Sequence, residues 1–222
     1  GIGNGTMATK LSEMGAADMR AAMIDSQLRT NDVIDPAIIA AMGSVAREAH
    51  VPAALSGVAY IDRAITLGEG RVLNPPLVTG RLLVAADVRA GMRVLLIGAA
   101  TGYTAALLAK LGADVHAVEE RADLLDTARA AVTGTDVRWI EGPLAAGAPK
   151  AGPFDRIIIE GAIEALPDAL AKQLVEGGRI VAAWRESTVT RLVQGVKAGG
   201  TIAIRAFADM DAVFGEIAVA GR

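Results

Sequence analysis

The stretch from Arg93 to Glu119 limits what this chain can fold into more than any other part of it. Arg93-Val94-Leu95-Leu96-Ile97 is short and apolar, as a buried strand is. Gly98-Ala99-Ala100-Thr101-Gly102 is a loop of small residues, and Tyr103 to Leu111 reads as a helix rich in Ala and Leu. Gly112-Ala113 ends that helix, and Asp114-Val115-His116-Ala117-Val118-Glu119 reads as a second strand. Together they make one βαβ unit of about 27 residues, near the length such units need. Two strands joined this way lie parallel, with a right-handed crossover.

The rest of the chain extends the pattern. Leu77 to Ala86 is expected to be a helix leading into a turn at Asp87-Val88-Arg89-Ala90-Gly91-Met92. Arg121 to Val132 gives a helix and Asp136 to Ile140 a third strand. Phe154 to Ile159 gives a fourth strand, Leu166 to Val175 a helix, and Arg179 to Trp184 a fifth strand. Val189 to Val196 and Thr201 to Ala208 flank Lys197-Ala198-Gly199-Gly200 and read as a hairpin. A last strand is expected over Val213 to Val219. Before the sheet, Met14 to Ala54 reads as helical, with Met19, Met23, Leu28, Ile34, Ile38, Ile39 and Met42 at helix-like spacing. Asp35-Pro36 is a start signal, an N-cap followed by Pro at the first helical position. Gly57 to Pro76 is expected to be irregular, and loops of that length are often functional. Residues 14–76 and 77–222 are read as one compact unit. Met7 looks like a natural start, so residues 1–13 read as a cloning remnant and a flexible beginning, without the pattern of a signal peptide. The Gly1-Ile2-Gly3-Asn4-Gly5 spacing follows no strand and is a decoy.

Composition narrows the function classes. Hydrophobic residues are 52% of the chain but aromatics only 3%, so the core is built from aliphatic side chains, which suits parallel strands covered on both faces. The formal net charge of -3, without a Lys/Arg cluster, leaves no electrostatic footprint for nucleic acid. The absence of Cys removes disulfides, thiolate metal sites and a Cys nucleophile, and fits a reducing, cytoplasmic setting. No apolar run is long enough for a membrane helix. No metal site is expected. His50 and His116 belong to no recognisable catalytic spacing and read as structural.

In an open α/β sheet, ligands bind beyond the carboxyl ends of the strands, where strand order reverses. The loop after Ile97 is such a place. Glu119 stands 21 residues after Gly98, where an acidic side chain can accept hydrogen bonds from both hydroxyls of a ribose. Glu120 beside it leaves a one-residue ambiguity. The competing reading is that Gly98 and Gly102 only permit tight strand–helix packing and that Glu119 is a solvated strand end.

Six segments in order carry a resemblance. Met23-Ile24-Asp25-Ser26-Gln27-Leu28-Arg29 is similar to the opening helix of protein-L-isoaspartate O-methyltransferases. Ala46 to Pro52 resembles that family's P-R-E-x-F-V-P element, and Ala59-Tyr60-Ile61-Asp62 its A-Y-x-D. Val94 to Ala105 resembles V-L-E-I-G-T-G-S-G-Y-Q-A; Pro153 to Ile158 resembles P-F-D-x-I-I; Gln173 to Val181 resembles Q-L-x-x-G-G-R-L-V. The resemblance implies an α/β fold, Rossmann-like, with a mostly parallel seven-stranded sheet, helices on both faces, an antiparallel C-terminal hairpin and an N-terminal helical extension. It implies S-adenosylmethionine as cofactor, and as partner a protein or peptide bearing isoaspartyl residues, methylated on the α-carboxylate. That carboxylate is ionised near neutral pH, with an ordinary pKa of about 3.3–3.7. The reaction therefore needs no general base, and alignment and exclusion of water are the enzyme's main tasks.

By the same resemblance Asn74, Asp62 and Tyr60 fall in catalytic positions. Gly98, Ala99, Ala100, Gly102, Tyr103, Glu119, Glu120, Glu141, Gly142 and Glu160 fall around the cofactor. Several of these depart from the family. Val72-Leu73-Asn74-Pro75-Pro76 stands for T-I-S-x-P, so Asn74 replaces a Ser near the transferring methyl, and Leu77 follows where His is frequent. Asn74 could orient a carboxylate or mark another substrate. Leu96 replaces an acidic residue that meets the cofactor's amino end, and Ala100 replaces the middle Gly. Glu141-Gly142-Pro143 stands for G-D-G, whose Asp meets the adenine. Glu160 offers either electrostatic compensation for Leu96 or mere solvation. The alternative to an active methyltransferase is a non-catalytic family member, a binding or regulatory module with weak or lost cofactor binding.

Overall fold

The computed structural model describes residues 15–210. Residues 1–14 and 211–222, with the expected strand at Val213 to Val219, lie outside the described residues. The strands are β1 (Ile65–Gly68), β2 (Arg71–Leu73), β3 (Arg93–Ile97), β4 (Asp114–Glu119), β5 (Arg138–Glu141), β6 (Phe154–Ile163), β7 (Leu174–Glu186), β8 (Val189–Ala198) and β9 (Thr201–Met210). The helices are α1 (15–23), α2 (Pro36–Ser44), α3 (Pro76–Ala86), α4 (Tyr103–Lys110), α5 (Ala122–Ala131) and α6 (Asp168–Lys172).

Seven strands form one sheet in the order β5-β4-β3-β6-β7-β8-β9, and β1-β2 form a separate two-stranded ribbon. Strands β5, β4, β3, β6 and β7 run parallel, and β8 and β9 join antiparallel. The chain builds outward from β3 to β4 and β5, then returns to place β6 on the other flank of β3. The switch point is therefore the carboxyl end of β3, between the ends of β4 and β6.

Alternation along the strands explains the two covered faces. Val94 and Leu96 of β3 join Ala117, Ile158, Val181 and the helical residues Leu82 and Leu107 in one buried cluster, which also takes in Met23 and Leu28. Leu95 and Ile97 face the other way, into a cluster with Val118, Ile157, Ile180, Phe154 and Leu170. Each fully buried Leu or Ile contributes about 1.5–3 kcal/mol, so both faces hold the sheet.

The expected strands over Arg93–Ile97 and Asp114–Glu119 are observed with those bounds, and Asp35 caps α2 by accepting from the Ala37 and Ile38 amides at 2.9 and 3.2 Å. Elsewhere the structure corrects the sequence reading. The continuous helical stretch from Met14 breaks: α1 runs into a π-helical turn at Ile24–Leu28 and a 3-10 turn at Arg29–Asn31, and Asp32 stops it with φ 64°. After α2 only 3-10 turns follow, at Arg47–His50 and Ala53–Val58. Gly57 to Pro76 is not wholly irregular, because Gly68, Glu69 and Gly70 all take positive φ and fold β1 back on β2. The helix expected from Leu166 to Val175 shrinks to Asp168–Lys172, because Leu174 already pairs with Phe154 in the β6–β7 ladder. The third strand is Arg138–Glu141, two residues later at its start.

Candidate active site

Three segments meet at the switch point: the loop 98–102 after β3, the end of β4, and the part of β6 from Ile159 to Gly161. Gly98 and Gly102 take positive φ, 79° and 86°, for different reasons. A Cβ on Gly102 would stand 2.9 Å from the Ala128 Cβ and 3.0 Å from Val132, so this glycine lets α4 approach α5. A Cβ on Gly98 would meet the Arg71 Nη2 and the Glu160 carbonyl oxygen, each at 3.6 Å, which is ordinary contact. Gly98 faces the cleft; Gly102 is accounted for by packing. Ala100 also takes positive φ, 51°, a conformation that costs an L-residue roughly 1–2 kcal/mol. Its amide is turned by that conformation onto Glu119.

Glu119 is 0% exposed, whereas Glu120 is exposed, which removes the one-residue ambiguity. Four donors reach the Glu119 carboxylate. Arg71 Nη2 donates to Oε1 at 2.6 Å and Nη1 to Oε2 at 2.9 Å. The Ala100 amide donates to Oε1 at 2.8 Å and the Arg121 amide to Oε2 at 2.9 Å. Burial alone would raise the Glu119 pKa, but these donors outweigh it and hold the group below the usual carboxylate range.

Glu160 comes to the site from β6. The β6–β7 register shifts between Ile158 and Ala162, a bulge that frees Glu160 from the ladder and re-aims it. Asn74 Nδ2 donates to its Oε2 at 2.8 Å, and the Thr104 hydroxyl donates to its Oε1. Burial pushes the Glu160 carboxyl up, and the donors from Thr104 and Asn74 offset this only in part. The sign follows. A carboxyl raised in the fold stabilises the protein below its ordinary range and loses that contribution as pH rises through the raised value. Glu119 acts oppositely, losing its contribution as pH falls. Stability measured by urea unfolding from about pH 2 to about pH 8 is expected to show both limbs, the acid one below the ordinary glutamate range and the alkaline one above it. Glu160→Gln should remove the decline on the alkaline side and leave the acid limb.

Beneath this cluster lies Arg47, 0% exposed. Its Nε donates to the Ala59 carbonyl at 2.5 Å and its Nη2 to the Asn74 carbonyl at 2.7 Å, and its guanidinium stands 4.8 Å from the Tyr103 ring centroid. Arg47 Nη1, Asn74 Oδ1 and the Tyr103 hydroxyl are buried without a partner in the described residues. His50 Nδ1 lies 2.7 Å from the Thr101 carbonyl, which can only accept, so Nδ1 carries the proton. The Thr101 hydroxyl answers by donating to the His50 carbonyl at 2.6 Å. Burial holds His50 below its ordinary pKa, so it pins the loop as a neutral ring.

The structure brings together Asn74, Gly98, Ala99, Ala100, Tyr103, Glu119 and Glu160. It does not bring Asp62, which is exposed, or Glu141, exposed at the end of β5 although paired in register with Glu119. Gly142 sits beside them, its amide donating to the Glu119 carbonyl at 3.1 Å. Tyr60 is buried and committed elsewhere. Its hydroxyl accepts from Arg20 Nε at 2.7 Å and from the Arg47 amide at 3.0 Å, and donates to Glu48. Burial and the Glu48 hydrogen bond push its pKa up to about 12. Leu96, at the family's acidic position, packs into the core. Sequence reasoning missed Arg71 and Thr104. Arg47 lies within the segment Ala46 to Pro52, whose resemblance gives it no role.

A mostly parallel sheet ended by two antiparallel strands, with an acidic residue beside a small-residue loop at the switch point, is the arrangement of Rossmann-like S-adenosylmethionine-dependent methyltransferases. The comparisons go further. Residues 18–213 match the model of the protein-L-isoaspartate(D-aspartate) O-methyltransferase family. The chain is 43% identical over 164 residues to a protein-L-isoaspartate O-methyltransferase of Methylorubrum populi, covering 73% of this chain and 77% of that one. It is 37% identical over 188 residues to one of Methanoculleus marisnigri, covering 82% and 84%. A solved protein-L-isoaspartate O-methyltransferase superposes with a TM-score of 0.74 at 19% identity, over 92% of this chain and 65% of that one. A Plasmodium falciparum relative in complex with S-adenosyl-L-homocysteine gives 0.73 at 19% identity, over 88% and 95%. The chain belongs to the protein-L-isoaspartate(D-aspartate) O-methyltransferase family.

The site suits an adenosyl group in kind: an acceptor carboxylate at the tip of β4, and beside it a loop whose first residue has no side chain. Among the described residues no group of three His, Cys, Asp or Glu side chains could hold a metal, and no helix is long and apolar enough to cross a membrane.

Proposed function

We propose that this chain transfers a methyl group from S-adenosylmethionine to the carboxylate of L-isoaspartyl residues in damaged proteins. The observation that carries the reading is the Glu119 carboxylate, held beside Gly98 at the switch point of a family member's sheet. The cofactor supplies an electrophilic methyl on a sulfonium. The residues of this chain have three tasks.

Glu119 accepts the ribose hydroxyls. Its position is fixed by the Ala100 and Arg121 amides, which do not depend on a side chain. Gly98 lets the nucleoside approach the backbone. Glu160, steadied by Asn74 and Thr104, would offer a carboxyl group to the cationic part of the cofactor, and binding of a cation there would favour its ionised form. Asn74 keeps an acceptor and a donor at the family's Ser position, and Arg47 beneath it supplies positive potential that favours an acceptor carboxylate. No residue needs to take a proton from the nucleophile, because an ordinary carboxylate is already ionised. That suits a site where His50 is neutral and structural. A cytoplasmic location is part of the same reading, since the substrates are aged proteins and the chain has no Cys.

The test is methyl transfer from labelled S-adenosylmethionine to an isoaspartyl peptide, set against its aspartyl twin. Transfer to the first and not the second is expected. Transfer to neither peptide removes the repair reading, and no heat from S-adenosylhomocysteine at millimolar ligand identifies the non-catalytic alternative instead.

A further inference from the structure

We infer that Arg71 is a built-in competitor for the nucleoside: its guanidinium stands on Glu119 where the ribose hydroxyls must bind, and the cofactor enters only as Arg71 leaves. This rests on Glu119 being the ribose acceptor. An ionised carboxylate offers about four lone-pair sites. Glu119 has all four taken, two by backbone amides and two by Arg71. The amides belong to the loop and to the start of α5 and are fixed by the fold. Only the Arg71 side chain can yield.

The setting makes the contact strong. Glu119 is fully buried and Arg71 is 7% exposed, so water screens the pair little. The bidentate fork is the strong form of a charge-assisted hydrogen bond. Arg71 Nη2 also lies 3.6 Å from where a Gly98 side chain would begin, so the guanidinium covers the loop residue that the cofactor must approach. Arg71 is carried on the ribbon β1–β2, not on the main sheet. The ribbon's turn is tethered by Arg121, whose Nη1 donates to the Gly68 carbonyl at 2.8 Å. A binding-competent state populated in a small fraction of molecules lowers apparent affinity by that fraction. Arg71 therefore sets how tightly this chain holds its cofactor.

The experiment is calorimetric titration of the wild-type chain, Arg71→Gln and Arg71→Lys with S-adenosylhomocysteine and, separately, with adenosine. Gln cannot form the charged fork, and Lys keeps the charge with a single-point contact. Arg71→Gln is expected to tighten both ligands by the same factor, on the order of ten- to a hundredfold, with Arg71→Lys between. Equal affinity in wild type and variants overturns the inference and leaves the proposed function standing. Weaker S-adenosylhomocysteine with unchanged adenosine overturns it too, since Arg71 would then grip the ligand's carboxylate. No heat from either ligand with any of the three proteins overturns both readings. Should the Gln variant fail to fold, NMR of labelled arginine side chains in the wild-type chain decides. Saturating adenosine must release the protected Arg71 guanidinium protons, and their persistence contradicts the inference.

Discussion

Glu119→Ala is expected to lower stability by about 3–5 kcal/mol and to abolish binding of S-adenosylhomocysteine. The size comes from what is left behind. The substitution strips the counter-ion from a buried Arg71 guanidinium and leaves the Ala100 and Arg121 amides without their acceptor. Ala100 would then hold its strained left-handed conformation without the hydrogen bond that fixes it. A loss of this size is a large share of the 5–15 kcal/mol by which a domain is stable. Urea unfolding of the variant beside the wild type measures it. A change within about 0.5 kcal/mol, the ordinary range for a surface substitution, would mean that the pair is solvated and the site described wrongly. Glu119→Gln separates the two effects, because it retains volume and an acceptor while losing the charge.

Arg47→Ala is the second large effect, expected at about 3–5 kcal/mol from a different cause. Arg47 joins the segments before and after the β1–β2 ribbon, through the Ala59 and Asn74 carbonyls. Its loss leaves both carbonyls buried without a donor, at about 1–3 kcal/mol each, and opens a cavity under the Tyr103 ring. Because the Asn74 carbonyl is one of its acceptors, the damage reaches the site. Methyl transfer should therefore fall even where the variant remains folded, with the larger change in kcat, since misplaced reacting groups cost rate. Arg47→Met restores volume and not the donors, so it should recover only the cavity part. Full recovery in Arg47→Met would show that packing alone explains this arginine.

The parallel core was legible because Val94 to Ile97 is a short unbroken apolar run closed by Gly98, as a buried strand is, and because Asp114–Glu119 follows a helix ended by Gly112. The antiparallel close at β8 and β9 was legible from Gly199-Gly200 between two alternating segments. The ribbon β1–β2 was not, since strands of four and three residues carry too little alternation to register. The overlong helix at Leu166–Val175 failed for a tertiary reason: its spacing suits a helix, yet Leu174 is claimed by Phe154.

The site divides in the same way. Its loop and Glu119 follow from the spacing within one βαβ unit. Arg71 does not, because its burial rests on the ion pair with Glu119, and that partner is 48 positions away. Thr104 likewise becomes meaningful only when the β6 bulge turns Glu160 toward it. Local pattern marks the switch-point loop and its acidic residue; the contacts that Arg71 and Thr104 make there depend on distant segments.

The claim on which the rest depends is that the carboxyl end of β3, with Glu119 beside it, receives an adenosyl group. Isothermal titration of the wild-type chain with S-adenosylhomocysteine tests it most directly. A saturable isotherm with one ligand per chain, lost in Glu119→Ala, is the expected result. A flat trace for the wild type at millimolar ligand, or an unchanged isotherm in the variant, would contradict it.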